Sequence, residues 1–176
     1  MEPVPDGVVV PLDSREPALA RELLGLQRAS YAVEAELIGF DGIPPLKEPV
    51  EALMAAPLVW LGVRLRGRLA AAVAYARLGD GRVVDIDRLV VAPWAFRRGY
   101  GRALVVAVIE WEVAARRFLV STGSRNAPAR RLYEGLGFEA VGERPIAPGV
   151  FVTRYELRRG PGADQPTSER GRREGE

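Results

Sequence analysis

The stretch that decides the fold is RLVVAPWAFRRGYGRALVVAVIEW, Arg88–Trp111. Its opening run is strand-like and stops at Pro93, which has no N–H to give to a sheet ladder. From Ala103 an apolar helix follows. Between them lie Arg97, Arg98, Gly99, Tyr100, Gly101 and Arg102. A helix start carries unpaired backbone N–H groups and partial positive charge, and glycines let a phosphate come close to the main chain. From Arg88 to Ile109 there are four arginines and no acid. Taken alone, these residues fit a phosphate cradle and a basic strand-to-helix turn equally well.

Spacing removes the common nucleotide loops. The single lysine, Lys47, stands in no G-x-x-x-x-G-K-[ST] run, and position 104 is Leu where G-x-G-x-x-G needs glycine. Mononucleotide hydrolases and dinucleotide oxidoreductases are therefore poor readings. Composition removes more. Among 176 residues there is no Cys and no His, so thiol nucleophiles, Ser-His-Asp triads and the usual zinc sites are excluded from this chain. No metal is expected. Acid–base work falls to Asp, Glu, Tyr, Lys47, a terminus or water. The net charge of +2 argues against a nucleic-acid partner. No apolar run reaches the roughly 18–20 residues that cross a bilayer, and MEPVPDG does not open like a signal peptide. A cytoplasmic protein without membrane association is the expectation.

Outward from Arg88, the pattern predicts an α/β chain. Gly7–Asp13 reads as a strand. Pro17–Gly39 has helical spacing at Leu19, Leu23, Leu26 and Val33, with Ser14 as N-cap. FDGIPPL breaks that helix, and a short second helix ends before Pro57. Strands follow with turns near Arg66–Arg68 and at GDGR, Gly79–Arg82. A helix from about Gly101 to Arg116, a strand in RFLVSTGS, a helix in NAPARRLYEGLGF and two closing strands complete the order βααβββαβαββ. The strand–helix–strand unit in the middle requires a parallel pair. Residues 160–176 lack apolar periodicity and read as a disordered tail after a single domain over 1–159.

NAPARRLYEGLGF, Asn126–Phe138, supplies a second half. Asn126, Ala129 or Arg130, and Tyr133 fall on one helical face. By themselves they also fit a helix cap and a core tyrosine.

Together the two segments resemble the GCN5-related N-acetyltransferase (GNAT) family. LVVAP–RRGYGRAL is similar to its acetyl-CoA loop, and NAPARRLYEGLGF to its N-x-x-A-x-x-x-Y-x-x-x-G-F segment. The close resemblance covers about Asp85–Phe138, and the strand order extends it from Gly7 to Leu157. It implies a mixed sheet of about seven strands with helices on both faces, and acetyl-CoA as the acyl donor. Backbone groups of Leu89, Val90 and Val91 would pair with the pantetheine arm. N–H groups from Arg97, Arg98, Gly99, Tyr100, Gly101 and Arg102 would hold the pyrophosphate, and Asn126 would contact the cofactor. Tyr133 would protonate the leaving thiolate. The chain departs from the family at Phe96, where Gln or Arg is common, and at Ser121, where some members carry a glutamate base.

The acceptor of such a transfer is an amine that must lose a proton. Asp85 is the first candidate base and Asp87, with the same strand parity, the alternate. Glu34, Glu36 and Phe40 are candidates for binding the acceptor, a small-molecule or peptide amine. The expected activity is N-acetyl transfer by direct attack in a ternary complex. The alternative is an acyl-CoA-binding module or sensor without acceptor chemistry. A homodimer through strand or helix faces is compatible with both.

Overall fold

The computed structural model describes residues 7–160. The segment 161–176, nearly all of the stretch read as a tail, lies outside the described residues. In chain order the elements are β1 (Val9–Leu12), α1 (Pro17–Ile38), α2 (Val50–Ala55), β2 (Val59–Leu65), β3 (Arg68–Leu78), β4 (Val83–Val91), α3 (Tyr100–Trp111), β5 (Arg117–Gly123), α4 (Ala127–Gly135), β6 (Glu139–Ala147) and β7 (Val150–Arg158). Short 3-10 turns occupy Pro44–Leu46 and Pro93–Ala95. The order expected from the sequence is the order found. Among the described residues no helix is long and apolar enough to cross a membrane.

The seven strands form one mixed sheet in the order β1-β2-β3-β4-β5-β7-β6. Only β4 and β5 are parallel, joined by the α3 crossover. The helices cover opposite faces. Arg88 of β4, paired with Ala74, reaches Gln27 of α1, while the adjacent Tyr75 reaches Glu112 just past α3. Ala70, Ala72 and Ala74 are fully buried and share a face, and such small side chains let the buried stripe of α1, Leu19, Leu23 and Leu26, settle close on the sheet.

Two local expectations fail for identifiable reasons. The helix expected to run to Arg116 stops at Trp111. Glu112 turns inward instead, accepting hydrogen bonds from the Tyr75 hydroxyl (2.6 Å) and the Arg77 guanidinium (2.7 and 2.8 Å). Arg159 then donates to the carbonyls of Ile109, Glu112, Val113 and Ala115, taking over the orphan acceptors of the helix end. These partners come from distant strands, so the local apolar pattern cannot see them. Ser14 does not cap α1 either. The N-cap is Glu16, without a side-chain bond, followed by Pro17, whose missing N–H needs none.

Candidate active site

The site begins at an irregularity in β4. Along the β3–β4 ladder Ala74 pairs with Arg88 but Tyr75 with Ile86, so Asp87 is an extra residue, a β-bulge. Beyond it β4 leaves β5: their pairing covers only Val83–Ile86 against Arg117–Val120. The strands splay apart and open a cleft of about 530 Å³, lined among others by Asp87, Leu89, Ser121, Gly123 and Tyr133. Past the bulge the ladder is regular. The Ala92 N–H donates to Ala70 at 2.8 Å, so Val90 also faces β3, while the N–H groups of Leu89 and Val91 face the splay. Val91 already donates to the Ser30 hydroxyl at 3.2 Å. Leu89 is thus the residue that turns a backbone donor into the cleft. Val90 spends its backbone on β3 and its side chain on the core.

Next to the splay, the basic loop bends through left-handed backbone at Arg97 (φ 62) and Gly99 (φ 80). Gly99 is the N-cap of α3, which has no side-chain cap and no acid in its first turn. A Cβ on Gly99 would meet nothing within 4 Å, whereas one on Gly101 would lie 3.2 Å from Leu132 of α4. Gly99 leaves its concavity open to a ligand, and Gly101 lets α3 cross close to α4. Arg97, Arg98 and Arg102 are exposed around this helix start, and Tyr100 is buried. These features fit a bound diphosphate: donors, positive end and open approach coincide.

Arg88 is different from the other arginines of its acid-free window. It is buried at 9% exposure on the α1 face. It pairs with Glu48 through both terminal nitrogens, with Asp87 at 2.8 Å and with the Gln27 amide oxygen at 3.0 Å. Its charge is consumed there and adds nothing to the loop.

On the other wall, α4 delivers Tyr133 and Asn126. The Asn126 side chain accepts from the Ala129 N–H at 3.2 Å, capping α4, and its residue borders the cleft, so cap and site coincide. Tyr133 lines the cleft with its ring packed on Phe138 and Tyr155, centroids 5.6 and 6.0 Å away. Burial, aided by the charge of Glu34, pushes its phenol well above the usual range, so it stays protonated at neutral pH.

The carboxylates separate. Glu34, half-buried, lines the cleft beside Asn126 and Gly123. Burial raises its pKa, and hydrogen bonding from the Asn126 side chain and the Gly123 N–H offsets part of that rise. Asp87 and Phe40 also line the cleft. Asp85 is outside the lining, its pKa raised by burial and by the Asp87 charge against the pull of Arg154. Glu36 is exposed and also outside it. Glu34 and Asp87, with Arg88 and Tyr133, all act on the buried hydroxyl of Tyr31, which marks them as one cluster.

A model of the acetyltransferase (GNAT) family matches residues 26–138. The chain belongs to this family. Its fold agrees with an acetyltransferase of the GNAT family from Streptococcus pneumoniae at a TM-score of 0.67 and 21% identity, covering 88% of this chain and 99% of that one. It agrees equally with the PaiA N-acetyltransferase of Thermoplasma acidophilum, solved in complex with coenzyme A, at a TM-score of 0.67 and 12% identity over 86% and 99% of the two chains. The UPF0157 protein YqkA of Bacillus subtilis is 37% identical over 146 residues. That stretch is 83% of this chain and 42% of YqkA, so the chain spans less than half of that relative.

In this GNAT chain, sequence reasoning missed Gln27, Ser30, Tyr31 and Glu48. Gln27 is fully buried and donates to Pro45 and Glu48 at 3.0 Å each, so with Arg88 it ties α1, the Pro44–Leu46 turn and the bulge together. One signal was available: a glutamine in phase with Leu19, Leu23 and Leu26 falls on the buried stripe of the helix, where a polar group needs partners.

Proposed function

We propose that this GNAT acetyltransferase moves an acetyl group from acetyl-CoA to the nitrogen of a primary amine, by direct attack within a ternary complex. One observation carries the reading: the splay of β4 from β5 past the bulge has the Leu89 N–H facing it, and Tyr133 lines the same cleft. When bound, the cofactor supplies an acetyl thioester. The main-chain donors around Arg97–Gly101 suit its diphosphate, and the splayed edge of β4 suits its pantetheine arm. The Leu89 N–H can donate to a carbonyl oxygen in the splay, where negative charge develops during acyl transfer. Tyr133 holds a proton for the departing sulfur. Glu34 takes the proton that the amine must lose, directly or through water, and the burial that raises its pKa makes it a stronger base than an exposed carboxylate. Asp87 holds the ammonium form beside it. Asp85, two residues earlier in β4, is outside the cleft lining, and its own pKa is raised by burial and by the Asp87 charge. In a chain without Cys, no cysteine acyl-enzyme intervenes.

The test mixes protein, acetyl-CoA and a panel of amines, and follows free thiol. Amine-dependent release is expected, falling about 100-fold or more in Glu34→Gln if that carboxylate is the base. Slow release that no amine accelerates would replace the transferase with an acyl-CoA-binding sensor.

The cradle has its own test, a calorimetric titration with acetyl-CoA. Gly99→Val relieves its strain by leaving the left-handed region. Restoring the donor geometry on binding then costs about 1–2 kcal/mol per residue, roughly tenfold or more in Kd. Phe96→Gln should improve affinity by far less, because the loop's donors are backbone groups. Equal effects, or a reversed order, would count against the cradle.

A further inference from the structure

Resting on the reading of this cleft as an amine acceptor site, we infer that the acceptor carries a carboxylate close to its amine: a free amino acid with an apolar side chain. The cleft is electrically asymmetric. Its lining holds two acids, Glu34 and Asp87. Its lining has two cations, Arg88 and Arg144. The donors of Arg88 are spent on Glu48, Asp87 and Gln27. Arg144 lines the cleft from β6 and is exposed, and no ion pair with an acid is found for it among the described residues.

The sheet register places that cation relative to Glu34. Arg144 pairs with Val152, and Val152 pairs with Gly123, whose N–H lies against Glu34. Directly paired residues share a face, and that face is the one α1 covers, since a Cβ on Gly123 would meet Ile38 at 2.6 Å. Two strand spacings separate Arg144 from Gly123, about 10 Å between backbones. A small zwitterion together with an arginine side chain bridges that distance. The acid next to Arg144 does not interfere. Glu143 lies on the other face, accepting from Thr153 at 3.1 Å. Arg154 shares the face of Arg144 but acts on Asp85. The same lining also carries apolar side chains, Phe40, Ile43, Pro44 and Ile146. An ammonium at the acids, a carboxylate at Arg144 and an apolar side chain between them satisfy every part of this lining. A polyamine would set its second cation against Arg144.

The experiment compares apolar amino acids with their decarboxylated amines, leucine with 3-methylbutylamine and phenylalanine with phenethylamine, and adds spermidine. Turnover by thiol release and equilibrium binding by calorimetry are both read on the full chain with its acyl donor or CoA. One charge-assisted, two-pronged contact predicts an advantage of about tenfold or more for the carboxylated member of at least one pair. Arg144→Gln should abolish that advantage and Arg144→Glu should invert it toward spermidine. Equal handling of acid and amine, or an advantage that survives Arg144→Gln, overturns the inference. Carboxylate-dependent binding without any turnover leaves it standing and removes the transferase reading instead.

Discussion

Tyr133→Phe lowers the rate of amine-dependent acetyl transfer by about 10²–10⁴-fold, the usual worth of a positioned general acid. The substitution removes one oxygen and keeps the ring. Its packing on Phe138 and Tyr155 is unaltered, so the fold and the Kd for acetyl-CoA should change little. The loss belongs to kcat, because a proton for the departing sulfur is needed in the transition state and not in the bound complex. Burial next to Glu34 keeps the wild-type phenol protonated throughout the neutral range, so its acid form is never scarce. Steady-state kinetics with the best amine of the panel, alongside a thermal melt, separates the two effects. A kcat within about twofold of wild type would take the acid role away from Tyr133.

Arg88→Met costs about 3–5 kcal/mol of stability, the expected penalty for removing one partner of a buried ion pair. For a domain of this size that is a fall in Tm of roughly 6–20 °C. The variant leaves Glu48 without its cation and the fully buried Gln27 with an unmet oxygen. Burial alone would raise the Glu48 pKa, and the hydrogen bonds from Arg88 and Gln27 outweigh it, so the net shift is downward. A depressed folded pKa stabilises above the unfolded value and loses that contribution as pH falls through the folded one. The wild-type excess over Arg88→Met should therefore shrink on acidification below the ordinary carboxylate range. Arg88→Met with Glu48→Leu should regain part of the loss, because no charge is left stranded. Thermal unfolding of the two singles and the double, at neutral and acid pH, reads all of this. A double variant as unstable as the sum of the singles would mean that the pair has no coupling of its own.

The two halves of the candidate site were legible because each is local. A basic G-x-G turn before an apolar helix, and an Asn–Ala–Tyr face on the next helix, are patterns of side chains a few residues apart. Element order was legible for the same reason: periodicity and turn residues act within one element. The β4 bulge was not legible. Asp85 and Asp87 look equivalent at strand parity, and only pairing with Tyr75 and Ala74 of β3 shows that Asp87 is the extra residue at the cleft. Arg88 misled the charge reading, since the partner that neutralises it, Glu48, is 40 residues away in sequence.

The sequence by itself thus determined the family, the fold class and the basic G-x-G turn that opens α3, because those depend on short-range spacing and backbone preference. Only the tertiary structure decided which carboxylates share the cleft, which arginine is spent and which remains open. Those questions turn on desolvation and on pairing between strands and helices far apart in the chain, and both forces exist only once the sheet has formed.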